Sequence, residues 1–113
     1  MVLKAFRLEG SSMRPLFRAG DTALVAPSRL GRGDCAVYRA GGRALLHRVA
    51  GFAGDRVVLR DDGWELPPHA VHPRHILGRV VSRNPLKSGL PGYAWFLARG
   101  LLKWLRKNPS SRN

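Results

Sequence analysis

A short run near the N-terminus has the residue types and spacing that covalent catalysis requires. Its residues are Gly10-Ser11-Ser12-Met13-Arg14-Pro15. The pair Gly20-Asp21 follows and leads into the strand-like segment 22–26. This order predicts a tight exposed turn beside a β-strand, on which a serine hydroxyl can reach a scissile carbonyl. Ser12 is the predicted nucleophile, and backbone N–H groups around it would stabilise the oxyanion.

Four further elements follow the serine motif in a fixed order. They are Gly20-Asp21, Gly33-Asp34, His47-Arg48-Val49 and Gly54-Asp55. Together with the serine motif they resemble the serine peptidases of the signal-peptidase and self-cleaving-repressor clan, over about residues 5–82. The resemblance implies a small β-fold of that clan. It also implies a serine endopeptidase that matures a peptide or protein precursor without a metal or a cofactor.

The position of the catalytic base indicates a subtype of this clan. Bacterial signal peptidases and the repressors have lysine where this chain has His47, whereas the endoplasmic-reticulum and archaeal enzymes have histidine. The resemblance is therefore closest to the second group, with a Ser12–His47 pair. Because free histidine titrates near neutral pH, we expect activity to rise with pH through an apparent pKa of about 6 to 7. The alternative is a strand histidine whose hydrogen bonds are simply satisfied.

Two aspartates are candidates for the group that orients the imidazole. Asp61 and Asp62 lie in the region where the endoplasmic-reticulum enzymes carry a further aspartate, although the G-D-N element of those enzymes is replaced here by Asp-Asp-Gly. An orienting carboxylate would fix the imidazole tautomer and stabilise the imidazolium. The same residues also predict a hairpin turn between two strands, and the two roles are compatible.

The oxyanion region comprises Gly10, Ser11 and Met13. Bacterial signal peptidases often have a serine two residues before the nucleophile, where this chain has Gly10. We therefore expect the donors to be backbone N–H groups around Ser12, helped by the hydroxyl of Ser11.

Composition limits the classes of site that the chain can hold. At 113 residues with a single cysteine, it is one domain without an intrachain disulfide. Cys35 lies in an apolar run and is predicted to be a small core residue, although a cysteine nucleophile paired with His47 is an alternative. Three histidines share an H-x-x-H-x-x-H spacing, but prolines interrupt any regular helix there. We expect a solvated loop rather than a zinc site for His69, His72 and His75.

The charge of the chain is strongly asymmetric. The formal net charge is +13, and no acidic residue follows Glu65. This pattern predicts an anionic partner for the C-terminal part. The chain lacks the motifs of nucleic-acid-binding domains, which argues against a nucleic-acid partner and leaves an anionic membrane surface or an acidic protein. It also shows no signal peptide and no apolar run of the roughly 20 residues that span a bilayer, so a cytoplasmic or peripheral membrane location is expected.

The predicted fold is mainly β, sandwich-like or barrel-like, with a C-terminal amphipathic helix. The predicted strands are 2–7, 22–26, 35–39, 44–50, 56–59 and 76–82. The predicted division is a peptidase β-domain over 1–84, a linker over 85–92, a basic amphipathic helix over 93–107 and a tail over 108–113. Leu97, Leu101, Trp104 and Leu105 share one face of this helix. That face, with Trp95 and Phe96, would lie in a membrane interface or pack on the β-domain or a second subunit.

Two other classes of function compete with the peptidase. The first is a catalytically inactive peptidase-fold module that binds a peptide in its groove. The second is a basic protein that binds a nucleic acid or a membrane surface, in which the serine motif is incidental.

Overall fold

The described part of the chain folds into one antiparallel sheet followed by a helix. The computed structural model describes residues 3–8, 13, 16, 17, 20–27 and 29–107. The strands are β1 (Lys4–Arg7), β2 (Thr22–Ala26), β3 (Cys35–Ala40), β4 (Arg43–Ala53), β5 (Arg56–Arg60), β6 (His69–Val71) and β7 (Ile76–Val80), and the helix is α1 (Gly89–Lys107). The strand order among these residues is β1-β2-β7-β3-β4-β5-β6. The prediction of a mainly β fold with a C-terminal helix is confirmed.

The structure departs from the predicted boundaries in two places. Strand β6 was predicted to be loop, because prolines and histidines surround this short edge strand, which pairs with β5.

Helix α1 begins at Gly89, inside the predicted linker 85–92. Pro91 does not prevent this start, because backbone N–H groups in the first turn of a helix have no intrahelical partner. The carboxylate of Asp34 accepts a hydrogen bond from the Gly89 N–H at 2.8 Å and so caps the helix.

The β3–β4 hairpin carries the residues on which the site depends. Ala36 lies opposite His47 in the register of this hairpin, and Cys35 lies opposite Arg48. Because successive side chains of a strand point to opposite faces, His47 and Arg48 project to different sides of the sheet. Each face has its own apolar cluster. One contains Cys35, Val37, Leu46, Met13 and Phe17, and the other contains Ala36, Tyr38, Val49, Val57 and Leu59.

Helix α1 packs closely on the β-domain. A Cβ added to Gly92 would lie 2.5 Å from the carbonyl oxygen of Gly33, so the two backbones touch where neither residue has a side chain. Phe96 is buried and stacks on Trp64 with ring centroids 4.6 Å apart. The indole N–H of Trp64 also donates to the Phe96 carbonyl at 2.9 Å. Of the alternatives left open for the apolar side of the helix, packing on the β-domain therefore holds for Phe96, because its ring belongs to the core.

Helix α1 does not have the character of a membrane-spanning segment. None of the helices in the described ranges combines the length and the apolar composition needed to cross a bilayer.

Candidate active site

His47 lies in the middle of β4 and is almost completely shielded from solvent. Its side chain is 6% exposed, and Nδ1 lies 3.0 Å from the hydroxyl oxygen of Tyr38. Tyr38 lies on the neighbouring strand β3, and the pairing of Ala36 with His47 brings the two side chains to the same face. The hairpin thus determines which ring nitrogen of His47 is held by the protein.

A second histidine lies on the other side of the tyrosine hydroxyl. Nε2 of His69, on β6, is 2.9 Å from the same oxygen, so Tyr38 joins two imidazoles. The centroids of the two imidazole rings are 5.3 Å apart. Tyr38 and His69 also line an open groove of about 670 Å³. The hydrogen-bonded chain therefore runs from the buried His47 to a surface that solvent reaches.

The pKa of His47 is lowered from its ordinary value of 6.5 to about 4. Burial is the main cause, because desolvation disfavours the charged imidazolium. The nearby His69 lowers the pKa further, while the charges of Asp61 and Asp62 raise it. His47 is accordingly neutral at pH 7, which is the state that accepts a proton. Because of this burial, the activity limb that was expected at about pH 6 to 7 from free histidine is now expected at about pH 4.

Asp61 is fully buried and organises the loop that follows β5. Its carboxylate accepts hydrogen bonds from the backbone N–H groups of Glu65 and Leu66, at 2.9 and 3.1 Å. Its carbonyl oxygen accepts from the N–H of Trp64 at 3.2 Å and closes the turn that the Asp-Asp-Gly run predicts. Asp61 acts on His47 through its charge, whereas its role as the orienting group of the imidazole stays a prediction.

Asp62 is held by a different set of partners. Arg48 donates to its carboxylate through Nε at 3.0 Å and through Nη2 at 2.7 Å, and both side chains are fully buried. The indole N–H of Trp95 donates to the same carboxylate at 3.1 Å. Arg48 also donates through Nη1 to the carbonyl oxygens of Gly33 and Leu86. Asp62 and Arg48 therefore form a buried ion pair that joins β4, the loop after β5 and α1.

The serine motif meets this ion pair through Met13. The backbone N–H of Asp62 donates to Sδ of Met13 at 3.3 Å, and Met13 is 3% exposed. Gly10, Ser11 and Ser12 lie outside the described residues. The residue that follows the predicted nucleophile is thus fixed at the end of β5, next to the strand that carries His47.

The family of the chain follows from a comparison with known protein families. A family model described as Peptidase S24-like matches residues 3–81, about two thirds of the chain. The chain belongs to the Peptidase S24-like family. A search of curated proteins finds no significant match. Membership supports a function of the peptidase or self-cleaving-repressor type, and the matched range contains the serine motif, His47, Asp61 and Asp62.

Other candidate groups take no part in this Peptidase S24-like site. Cys35 is fully buried in the core, as predicted, and burial raises the pKa of its thiol to about 12, so it carries no thiolate at neutral pH. Among the described residues, no three metal-binding side chains come together. The predicted solvated loop is wrong for His69, which is half-buried on β6, while His72 caps a short 3-10 helix over 73–75.

Tyr38 and His69 are the polar site residues that sequence reasoning missed. Tyr38 lies in an apolar strand, where a tyrosine is read as part of the core, and His69 lies 31 residues further along the chain. The sequence did contain a signal for Tyr38. The Gly41-Gly42 turn sets the register of the β3–β4 hairpin, and this register places Tyr38 diagonally beside His47. The pairing of β6 with β5, which brings in His69, has no comparable signal in the sequence.

Proposed function

We propose that the protein is a serine endopeptidase of the Ser-His type, related to the endoplasmic-reticulum signal peptidases, that matures a peptide or protein precursor. Ser12 is the nucleophile and His47 is the general base. The observation that carries this proposal is the state of His47, which is buried, neutral at pH 7 and held at Nδ1 by Tyr38. A histidine held in this way presents its other nitrogen, Nε2, as the proton acceptor.

The tyrosine bridge supports one tautomer of His47. A hydroxyl has a single proton, so Tyr38 donates to one imidazole and accepts from the other. If Tyr38 donates to Nε2 of His69, it accepts from Nδ1–H of His47, and Nε2 of His47 carries no proton. If Tyr38 instead donated to Nδ1 of His47, the proton of the neutral imidazole would lie on Nε2, and Nε2 could not act as the base. We therefore assign the first arrangement and regard Tyr38 as a positioning residue.

The reaction proceeds in two balanced steps. Oγ of Ser12 attacks the substrate carbonyl while Nε2 of His47 takes the hydroxyl proton, which gives a tetrahedral oxyanion. The peptide C–N bond then breaks, His47 returns the proton to the leaving amine, and an ester remains on Ser12. In the second step His47 takes a proton from water, and the resulting hydroxide attacks the ester carbonyl. The bond between the acyl carbon and Oγ of Ser12 then breaks, His47 returns the proton to Oγ, and the carboxylic acid product leaves. The negative charges of Asp61 and Asp62 stabilise the imidazolium in each step.

The test of this function is cleavage profiling by mass spectrometry with a mixture of peptides. The wild-type chain should generate new termini, with small residues beside the cleaved bond as the family resemblance implies. Ser12→Ala should generate none, because it lacks the attacking oxygen, whereas the neighbouring variant Ser11→Ala should retain most of the activity. An active Ser12→Ala chain would show that the nucleophile is misassigned. No cleavage by the wild type, with peptide binding retained, would favour the inactive binding module.

The role of Tyr38 can be separated from a merely structural one. Tyr38→Phe keeps the ring but removes the hydroxyl that contacts Nδ1 of His47. One neutral hydrogen bond contributes about 1 kcal/mol, so we expect kcat to fall roughly fivefold to tenfold while KM is unchanged.

Tyr93→Phe is the matched control, because Tyr93 is the other tyrosine of the chain and lies on α1. The position of the rising limb in the pH profile of kcat should also move in Tyr38→Phe, since the hydroxyl contacts the titrating group directly. A higher KM with an unchanged kcat and pH limb would show that Tyr38 binds substrate rather than positions the base.

A further inference from the structure

Helix α1 presents an apolar face to solvent on the side that does not pack on the sheet. Leu90, Leu97, Leu101 and Trp104 are 81, 45, 57 and 51% exposed. Their spacing of seven, four and three residues places them in one row along the helix. We call these four residues the stripe. The packed face is a different one, and it includes Gly92, Phe96 and Lys103.

The stripe is held in a fixed orientation by the β-domain. Trp95 is hydrogen-bonded to Asp62, and Gly100 touches the ring of Trp64, so the helix is anchored on both sides of its midpoint. Lys103 donates to the carbonyl oxygen of Trp64 and lies 3.3 Å from Glu65. Exposure of the stripe is therefore a property of the packed structure. A contiguous exposed apolar surface of this kind marks an interaction site in most soluble domains.

Charge decides which partner fits the stripe. Helix α1 contains no acidic residue, and its basic residues are Arg99, Lys103, Arg106 and Lys107. Two copies joined through the stripe would bring together two chains that each carry a formal net charge of +13, which disfavours a self-association interface. An apolar row on one face of a helix, with basic residues on the other faces, is instead the composition of helices that lie in the interface of an anionic bilayer.

We propose that α1 docks the protein on an anionic lipid surface, with the stripe inserted among the acyl chains and Arg106 and Lys107 at the headgroups. Trp104 suits the boundary, because an indole combines an apolar body with a polar N–H. Arg106 and Lys107 are exposed at the C-terminal end of α1, where they can reach lipid phosphates. This docking site is independent of the peptidase chemistry and would bring the protein to membrane-bound precursors.

The test is co-sedimentation with vesicles of phosphatidylcholine alone and of phosphatidylcholine mixed with phosphatidylserine. The Ser12→Ala chain is used, so that the readout does not depend on cleavage. We expect binding to the mixed vesicles that weakens as salt is raised, and little binding to the neutral ones. Binding should also shift Trp104 fluorescence to shorter wavelength, and this part of the shift should be absent in Trp104→Phe.

Two variants separate the apolar and the electrostatic contributions. Leu97→Gln/Leu101→Gln keeps helix propensity but removes two inserted side chains, and should weaken binding by roughly 100-fold. Arg106→Gln/Lys107→Gln should weaken it by roughly 30-fold at low salt. Leu24→Gln is the matched control, because Leu24 is a 47% exposed leucine on β2, outside the helix, and its replacement should leave binding unchanged.

Several outcomes would overturn the proposal. Equal binding to the neutral and the mixed vesicles would show that the basic residues play no role. If Leu24→Gln weakens binding as much as Leu97→Gln/Leu101→Gln does, the stripe plays no specific role. Absence of binding to either vesicle would exclude a lipid surface. Dimers in solution that Leu97→Gln/Leu101→Gln abolishes would show that a second copy covers the stripe.

Discussion

If the proposed function holds, replacing His47 by alanine should slow peptide cleavage by roughly 10³-fold or more, the loss that removal of a triad residue causes in serine peptidases. The wild-type rate should rise as the pH is raised through about 4 and be level from there to neutral pH, because burial lowers the pKa of His47 to about 4. Below that pH the ring is protonated and accepts no further proton. The measurement is kcat/KM from pH 3.5 to 9 on the peptide found by profiling.

The control for this loss is His75→Ala. His75 is exposed, and its side chain bonds to the neighbouring Arg74 rather than to Tyr38 or His47, so its removal should leave kcat/KM unchanged. A base with so low a pKa is a weak proton acceptor for the serine hydroxyl. We therefore expect a modest kcat even for the wild type. A rising limb near pH 9 or above would point to a lysine base and contradict the assignment of His47.

Arg48→Ala should lower the free energy of unfolding by about 3 to 5 kcal/mol, the loss expected when a buried ion pair keeps only one charge. The variant leaves the fully buried carboxylate of Asp62 without its bidentate partner and removes the donor from the carbonyl oxygens of Gly33 and Leu86. Urea unfolding followed by tryptophan fluorescence measures the change.

Two comparisons test whether the ion pair causes this loss. Arg39→Ala removes an exposed arginine from β3 and should change the free energy of unfolding by less than about 0.5 kcal/mol. Arg48→Met/Asp62→Leu removes both buried charges and should be more stable than Arg48→Ala, because no unpaired charge remains. If the double variant is less stable than either single variant, the loss comes from packing and backbone contacts rather than from an orphaned charge.

Sequence patterns predicted most of the fold because most of its strands are apolar runs bounded by glycine turns. Strand β2 was predicted at its observed bounds, 22–26, and β3 to within one residue. The start of α1 was missed because Gly89, Pro91 and Gly92 are typical of a linker. Gly92 is required by its contact with the Gly33 backbone, which depends on tertiary packing, and Gly89 is favoured by its positive φ of 58°. Which face of α1 packs on the sheet could not be predicted for the same reason, since periodicity shows that a helix has two faces but not which one packs.

The candidate site was predictable to the extent that its residues follow one another in a motif. His47 could be identified from the ordered elements around it. Its partners could not, because Tyr38 and His69 come from other strands and the contact depends on the pairing of β5 with β6. The hydrogen-bond partners of Asp61 and Asp62 could not be predicted from the sequence either. Asp62 is bound to Arg48, which the motif indicated only as a basic residue beside the catalytic position.

The Arg48–Asp62 pair also has a consequence for the order in which the fold is completed during synthesis. Two of its hydrogen-bonding partners come late in the chain, because Trp95 follows Asp62 by 33 residues and Leu86 follows Arg48 by 38. Translation proceeds from the N-terminus, so the strands leave the ribosome while these partners are still inside its exit tunnel. Met13 accepts a hydrogen bond from the backbone of Asp62, so its position also depends on a pair that is completed only when α1 has been made. In a nascent chain, the pair is therefore expected to lack these two partners until α1 has left the tunnel.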